Sequence, residues 1–187
     1  MEADIERVLI AEEVIDKRLD LLARRIEEDF PGEIIQVIIL LKGALVFAAD
    51  LTRRLPRMLE IECLNVSSYH GGTESSGQVD FLDHKLPDVK GRQVLVLDDI
   101  LDTGRTLRAV VDRLTADGAA KVKTGVLLAK DKARAANVEA DYVGFVIGDE
   151  FVVGYGLDYQ GRYRNLPYVG TLAESAIDPD HRPKAQE

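Results

Sequence analysis

The residues from 94 to 107, VLVLDDILDTGRTL, combine side chains that could bind a sugar phosphate. An apolar run typical of a buried strand ends in two adjacent carboxylates, Asp98 and Asp99. A short loop with the hydroxyls of Thr103 and Thr106 then leads into a predicted helix, whose unpaired N–H groups and dipole favour an anion. Carboxylates beside a phosphate need another ligand, such as ribose hydroxyls or magnesium. The run therefore predicts a ribose 5-phosphate site.

A pair of acids at the end of a strand is weak evidence by itself, because many α/β proteins have such a pair for structural capping. The complete run of strand, acid pair, loop and helix start is much more specific. A second candidate, Lys42, follows an apolar run at 34–41. Taken alone, Lys42 is better explained as a solvated charge between a strand and a helix.

The spacing of apolar residues and of turn residues predicts the elements that must position these side chains. Helices are predicted at 11–30, 43–55 and 106–117, and strands at 34–41, 60–68, 92–99, 122–129, 142–147 and 151–153. Strands that alternate with helices indicate an α/β fold, with a central, mainly parallel, twisted sheet flanked by helices. Such sheets bind ligands at the carboxyl ends of their strands.

The amino-acid composition and net charge limit the classes of protein to which this chain can belong. The chain has 187 residues, of which 46% are hydrophobic and 30% charged, as in ordinary globular domains. We expect a single domain over 1–187, with a loose polar tail from about 175. A formal net charge of −9 argues against a general nucleic-acid binder, which would present a basic face. It does not exclude a small anionic substrate, since a site needs only a few local cations.

The sequence also bears on location. The single cysteine, Cys63, excludes an intramolecular disulfide and fits a reducing cytoplasm; we predict that it is a buried strand residue. The first residues are acidic, unlike a secretory signal. The most apolar stretch, 34–49, is interrupted by Gln36 and Lys42 and is shorter than the ~20 apolar residues of a membrane span. We expect a cytoplasmic protein with no membrane partner.

The segment 67–77, SSYHGGTESSG, is polar and rich in glycine, with no apolar periodicity. Burial of such residues offsets little of the entropy that ordering costs. We therefore expect this segment to be a mobile loop when no ligand is bound.

The run at 94–107 closely resembles the phosphoribosyl-pyrophosphate motif of the type I phosphoribosyltransferases. Further segments resemble the hypoxanthine-guanine branch of that family, of bacterial type, in the family's order; they are 40–44 (LLKGA), 67–77, 140–145 (ADYVGF), 151–159 (FVVGYGLDY) and 163–167 (YRNLP). The resemblance spans about Val8 to Leu172. It implies the family's fold, in which a small hood and a mobile flap loop accompany the central sheet.

The resemblance implies a purine salvage reaction. A 5-phosphoribosyl group passes from phosphoribosyl pyrophosphate to hypoxanthine, and also to guanine, giving IMP or GMP and pyrophosphate, with Mg²⁺ as the cofactor. By the match, Asp98 and Asp99 hold the ribose hydroxyls, directly or through magnesium, and Asp102 is the general base near the purine N7. The 5-phosphate is bound by the loop that follows, made of Thr103, Gly104, Arg105 and Thr106.

The same match assigns the other ligand groups. Pyrophosphate meets Lys42, Gly43 and Arg164, and the family often has a cis peptide between residues matching Leu41 and Lys42. The purine is read by Lys130 at its 6-oxo group, by stacking on Phe151 and by the backbone of Val152. Asp158 joins Asp98 and Asp99 as a magnesium ligand, and Ser68 and Tyr69 belong to the flap. Phe151, Asp158 and Arg164 have ordinary alternatives, as a core aromatic and as surface charges.

The sequence departs from the family's pattern at four positions. Asp98 stands where Glu is more common, and we expect its shorter arm to favour water-mediated contact with ribose. Gly148 and Glu150 replace the usual Pro and Lys, which predicts a looser rim of the purine pocket. Arg105 replaces a common Lys, and either residue binds phosphate.

The main alternative is a regulatory protein of the same fold that senses phosphoribosyl pyrophosphate without catalysis. Asp102, Lys130, Asp158 and Arg164 are all present, which favours the enzyme. A phosphorelay receiver would carry its acid pair at its first strand, and no P-loop motif occurs in the sequence. The family is usually dimeric or tetrameric, so we expect a homodimer or homotetramer.

Overall fold

A computed structural model describes residues 1–32, 34–68, 79–82, 86–133 and 135–177; for 67, 68, 79 and 80 it describes the backbone alone. The regular elements, in chain order, are β1 (Ile5–Ile10), α1 (Glu12–Asp29), β2 (Ile34–Leu41), α2 (Leu45–Thr52), β3 (Met58–Ser68), β4 (Val79–Phe81), β5 (Gln93–Leu101), α3 (Arg105–Ala116), β6 (Lys121–Lys130), β7 (Tyr142–Ile147), β8 (Val152–Val153) and β9 (Val169–Leu172). Short 3₁₀ helices span Glu2–Asp4 and Glu174–Ala176.

The main sheet has the strand order β4-β3-β2-β5-β6-β7. Along this order, the adjacent strands β3, β2, β5, β6 and β7 pair in parallel. Of the described strands in this sheet, β4 alone is antiparallel, and it pairs with the end of β3. This mainly parallel sheet flanked by helices confirms the predicted fold class. The carboxyl ends of β2, β5 and β6 lie side by side, which is where the sequence analysis located the ligand groups.

Both faces of the sheet are covered. On one side, Ile35, Val37 and Ile39 of β2 belong to the cluster that contains the buried faces of α1 and α2. On the other side, Ile38 and Leu40 belong to a cluster with α3. The continuous apolar run of β2 is thus explained, because alternate side chains enter different cores.

A second, three-stranded antiparallel sheet has the order β1-β9-β8 and forms the hood that the resemblance implied. Of its strands, the apolar pattern predicted β8 alone, at 151–153. In β1 the middle residues Glu6, Arg7 and Val8 are all exposed, so no period of two is visible in the sequence. The β9 strand has four residues, too few to show a period.

The predicted helix at 43–55 is shorter in the structure, where α2 is Leu45–Thr52, because turns occupy both of its ends. The predicted burial of Cys63 is wrong. Cys63 lies in β3 as predicted but is exposed. The physical reason is that β4 pairs only with Val66–Ser68, which leaves the first part of β3 at the edge of the sheet. Within the described ranges, no helix has the length and apolar character that crossing a bilayer requires.

Tyr155, in the segment after β8, joins the hood to α2. Its hydroxyl donates a 2.5 Å hydrogen bond to Oδ2 of Asp50 in α2. Burial raises the pKa of Tyr155 above its usual value, and the bond to the Asp50 carboxylate raises it further. The phenol therefore remains a donor at neutral pH and ties the hood to the helix that begins beside Lys42.

Replacing Tyr155 by Phe should lower the free energy of unfolding by about 1.5–3 kcal/mol, because the bond joins a buried hydroxyl to a carboxylate. Urea unfolding followed by circular dichroism measures this. Tyr163→Phe is the matched comparison, since Tyr163 bonds Asp4 at a longer 3.2 Å and its variant should lose less. Equal losses in the two variants would contradict the role given to the Asp50 bond.

Candidate active site

A cleft of about 340 Å³ opens at the carboxyl ends of β2 and β5. The predicted site residues that line it are Lys42, Gly43, Asp98, Asp99, Asp102, Thr103, Gly104, Thr106, Asp158 and Arg164. They come from four separate stretches of the chain, which the parallel strands bring to one edge. The position agrees with the rule for ligand binding in α/β sheets.

Asp98 and Asp99 form the floor of this cleft at the end of β5. Each carboxylate accepts a local backbone N–H, from Asp99 at 2.9 Å and from Ile100 at 2.8 Å. Burial raises the pKa of Asp98 well above its usual value, and the neighbouring Asp99 charge adds to the effect. Burial also raises the pKa of Asp99, although its hydrogen bonds and the Arg164 charge oppose this. Full ionisation of both carboxylates therefore costs free energy, and a cation beside the pair would offset that cost.

Gly43 permits the loop after β2 to approach this acid pair. A Cβ at position 43 would overlap the Asp99 carboxylate. The peptide bond between Leu41 and Lys42 is cis, as the resemblance implies, and Lys42 is exposed. The backbone of residues 42 and 43 thus lies against Asp99 in a way that requires glycine at the second position.

The loop after Asp102 leads into α3 through Gly104, which has a left-handed backbone with φ of +78°. Gly104, the N-cap residue of α3, supplies no side-chain cap, and the Arg105 N–H makes only a long 3.5 Å contact with Oγ1 of Thr103, so the start of α3 borders the cleft lined by Thr103, Gly104 and Thr106. This is the arrangement that binds a phosphate. The Arg105 side chain is exposed and is not among the lining residues.

Asp158 and Arg164 meet on the side of the cleft formed by the hood. Their ion pair is 2.5 Å long, and Arg164 also donates to the carbonyl of Gly156 at 2.7 Å. The second oxygen of Asp158 accepts the N–H of Gly161 at 2.7 Å. Gly156 in turn lies so close to the carbonyl of Gly43 that a Cβ there would overlap it. These contacts join the 154–164 segment to the Lys42–Gly43 loop.

Four charged side chains form a cluster near the end of β6, called here the charge cluster: Asp102, Lys130, Lys132 and Asp149. Lys130 Nζ is 2.8 Å from Asp149 Oδ1 and 4.0 Å from Asp102 Oδ2. Lys132 Nζ is 2.7 Å from Asp102 Oδ1 and 2.9 Å from Asp149 Oδ1. The sequence analysis assigned roles to Asp102 and Lys130 but missed Lys132 and Asp149. The signal available was Lys132's position, two residues after Lys130.

Phe151 and Val152 lie on the hood. Phe151 is 38% exposed and meets Tyr159 edge to face, with ring centroids 5.8 Å apart. Val152 is buried in β8, which is an edge strand with β9 on one side. Neither residue, nor Lys130, is among the residues that line the main cleft. The structure therefore brings the predicted sugar-phosphate groups together in one cleft, whereas the predicted purine groups lie outside its lining and Phe151 lines a separate pocket with Arg7 and Glu150.

The two departures near Phe151 are structurally linked. Glu150 Oε1 pairs with Arg7 of β1 at 3.4 Å. A Cβ at Gly148 would come within 2.5 Å of Glu150 Oε2. Glycine at 148 thus makes room for the folded-back Glu150 carboxylate, and the looser rim predicted from these residues stays a prediction.

The donor groups suit magnesium held jointly with a substrate. In the ranges that the structure describes, no three His, Cys, Asp or Glu side chains gather into a metal site. Mg²⁺ is commonly bound by one or two carboxylates together with phosphate oxygens and water. The half-buried Asp98–Asp99 pair, with its raised pKa values, fits that kind of site.

The predicted flap falls largely where nothing is described. Ser68 is the last residue of β3, and its side chain is not described. Tyr69, with the rest of the segment to residue 78, lies outside the described residues, as do the tail residues 178–187.

Comparisons with known proteins agree with this geometry. The model of the phosphoribosyl transferase domain family matches residues 4–160. A hypoxanthine-guanine phosphoribosyltransferase of Streptococcus pneumoniae is 42% identical over 174 residues, covering 93% of this chain and 97% of that protein. A bifunctional protein TilS/HprT of Listeria monocytogenes is 46% identical over 172 residues, or 92% of this chain. The chain spans about a quarter (26%) of that protein's length.

A solved structure of a hypoxanthine phosphoribosyltransferase from Staphylococcus aureus superposes with a TM-score of 0.89 at 40% identity, covering 95% of this chain and 97% of that one. With the sheet, the hood and the cleft at the carboxyl ends of β2 and β5, these matches define the class of protein as a phosphoribosyltransferase. Within that class, the chain belongs to the family of hypoxanthine-guanine phosphoribosyltransferases.

Gly43→Ala should weaken the binding of phosphoribosyl pyrophosphate by about tenfold or more, because the added methyl group must displace the Asp99 carboxylate or the loop, at about 1–3 kcal/mol. Isothermal titration calorimetry measures the affinity. Gly91→Ala is the control: its positive φ of +70° strains an alanine there, but nothing lies within 4 Å of the added Cβ, so the affinity should stay at the wild-type value. An unchanged affinity in Gly43→Ala would contradict the close-approach explanation.

Proposed function

We propose that the protein transfers the 5-phosphoribosyl group from phosphoribosyl pyrophosphate to hypoxanthine and guanine, giving IMP or GMP and pyrophosphate. The observation that carries the proposal is one cleft that combines a half-buried acid pair, the helix start at Gly104 and the Asp158–Arg164 pair, with the charge cluster beside it. The names of the relatives support the choice of purine. A purine salvage role follows from this reaction.

The residues divide the work by chemistry. The helix start at Thr103–Thr106 binds the 5-phosphate, while Asp98 and Asp99 bind the ribose hydroxyls. Lys42, Gly43 and Arg164 meet the pyrophosphate. Cleavage at the anomeric carbon builds positive charge on the ribose, as in glycoside cleavage, and the two carboxylates below it stabilise that charge.

The base is bound on the other side of the anomeric carbon. Lys130 donates to the 6-oxo group of the purine, which favours hypoxanthine or guanine over adenine, since a 6-amino group offers no such acceptor. Phe151 stacks on the purine, and the Val152 backbone contacts its edge. Asp102 accepts the proton of the purine nitrogen as the bond to ribose forms.

Mg²⁺ would be held by substrate oxygens together with carboxylates of Asp98, Asp99 and Asp158, which do not meet in one cluster and so would not all bind the same ion in this arrangement. When bound, it neutralises charge on the departing pyrophosphate. Asp158 is engaged by Arg164 and by the Gly161 N–H, so it would exchange at least one of these contacts to act as a ligand.

The remaining expectations belong to the same proposal. We expect a cytoplasmic homodimer or homotetramer, a single domain over 1–187, and a flap that includes Ser68 and Tyr69 and closes over the reacting ribose. Closure would exclude water, which would otherwise capture the cationic intermediate state.

A spectrophotometric assay with phosphoribosyl pyrophosphate and Mg²⁺ tests the proposal, with hypoxanthine, guanine, xanthine and adenine offered separately. We expect turnover of hypoxanthine and guanine, with adenine inert. Tight binding of phosphoribosyl pyrophosphate without turnover of any base would overturn the enzyme and favour a sensor of the same fold.

Lys130→Ala should raise KM for hypoxanthine by about 10–100-fold, the 1–3 kcal/mol of a hydrogen bond to a charged donor. KM for phosphoribosyl pyrophosphate should change much less, because Lys130 does not line the cleft that binds it. Steady-state kinetics with each substrate varied in turn measures both constants. An equal rise in the two KM values would argue against a hydrogen bond from Lys130 to the purine 6-oxo group.

A further inference from the structure

We propose that Lys132 is a positioning residue of the reaction, which holds the Asp102 carboxylate in place while Lys130 binds the purine. The inference rests on the proposed function, because it concerns the group that accepts the purine's proton. Neither the sequence motifs nor the resemblance assigned any role to Lys132.

The distances identify Lys132 as the nearer partner of Asp102. Its ammonium is 2.7 Å from Oδ1 of Asp102, whereas that of Lys130 is 4.0 Å from Oδ2, beyond hydrogen-bond length. Lys130 is bound instead to Asp149, at 2.8 Å. The two lysines therefore have different main partners: Lys132 fixes the Asp102 carboxylate, and Lys130 is bound to Asp149 until a purine takes its place.

The charges explain why two lysines are useful. The charge cluster contains two carboxylates and two ammonium groups, so it is neutral as a unit. When Lys130 turns toward the 6-oxo group of a purine, Asp149 and Asp102 would repel each other without a remaining cation between them. Lys132 is that cation, since it contacts both, at 2.9 and 2.7 Å.

The close ion pair with Asp102 raises the pKa of Lys132, with a further contribution from Asp149, although partial burial opposes it. The lysine therefore carries its charge throughout the neutral range. With Oδ1 of Asp102 held by this charge, the carboxylate has a defined orientation in which its second oxygen can accept a proton.

The backbone around Lys132 is anchored at two points. The N–H of Asp131 donates to the carbonyl of Ile147 at the end of β7, at 2.8 Å. The N–H of Ala136 donates to the carbonyl of Thr103 in the phosphate-binding loop, at 3.1 Å. The segment that carries Lys132 is thus tied on one side to the strand before Asp149 and on the other to the loop after Asp102. Because its backbone is held at two points, Lys132 can keep the Asp102 carboxylate in a fixed place.

Steady-state kinetics with hypoxanthine tests the role, with three variants compared with the wild type. Lys132→Ala should lower kcat by about 10–100-fold, as expected when a reacting group is misplaced. KM for hypoxanthine should change little, because Lys130 still binds the purine. Lys132→Arg, which keeps the charge, should recover most of kcat. Thermal unfolding of each variant shows that the fold is retained.

Lys123→Ala is the matched control. Lys123 lies near the start of β6, the strand that ends two residues before Lys132, and its 2.8 Å ion pair with Asp141 resembles that of Lys132 with Asp102. Its loss should leave kcat and KM at wild-type values. A Lys132→Ala variant that behaves like Lys123→Ala would overturn the inference.

A double-mutant cycle separates positioning of Asp102 from a general structural effect. In an Asp102→Asn background, Lys132→Ala should cause no further loss of kcat, because the group it positions is already absent. The full loss in both backgrounds would show that Lys132 acts elsewhere and would overturn the inference while leaving the proposed function intact. Absence of turnover in the wild-type protein would overturn both.

Discussion

The arrangement of the site depends on the free energy needed to ionise two adjacent carboxylates, Asp98 and Asp99, where a buried strand ends. Burial raises both pKa values, and the charge of Asp99 raises that of Asp98 further, so ionising the pair costs free energy unless a positive group lies beside it. A ribose that becomes cationic, or a magnesium ion shared with phosphate oxygens, lowers that cost. The acid pair thus favours a charged reacting state over the free protein, which is what catalysis of phosphoribosyl transfer requires.

The other elements of the site are positioned relative to this pair by close backbone contacts. Gly43 brings the loop after β2 against Asp99, and Gly156 brings the hood segment against the carbonyl of Gly43. The Tyr155–Asp50 hydrogen bond fixes the same hood segment to α2. Through these contacts, the groups assigned to the sugar, the pyrophosphate and the hood form one cleft although they are far apart in sequence.

The fold could largely be predicted from the sequence where burial is regular. The face of α1 and the run of β2 were predicted because their side chains enter cores with a helical or a continuous pattern. The hood strand β1 was not, since its exposed middle hides any period, and Cys63 was misplaced because the pattern of a strand does not show whether a neighbour covers it.

The candidate site, like the fold, could be predicted from the sequence only in part. The motif at 94–107 predicted the acid pair and the phosphate loop, because those residues are adjacent in sequence. Lys132 and Asp149 were missed because their contacts join separate loops; the position of Lys132 two residues after Lys130 was a signal, but it does not show which carboxylates Lys132 meets. Resemblance did not help there either, since neither residue belongs to a matched motif.

Replacing Asp102 by Asn in this cleft removes the group that accepts the purine's proton during phosphoribosyl transfer. Turnover of the variant should fall by about 10²–10⁴-fold, the usual contribution of a general base. The affinity for phosphoribosyl pyrophosphate, measured by calorimetry on the same variant, should stay close to that of the wild type. Turnover near the wild-type rate would contradict the account.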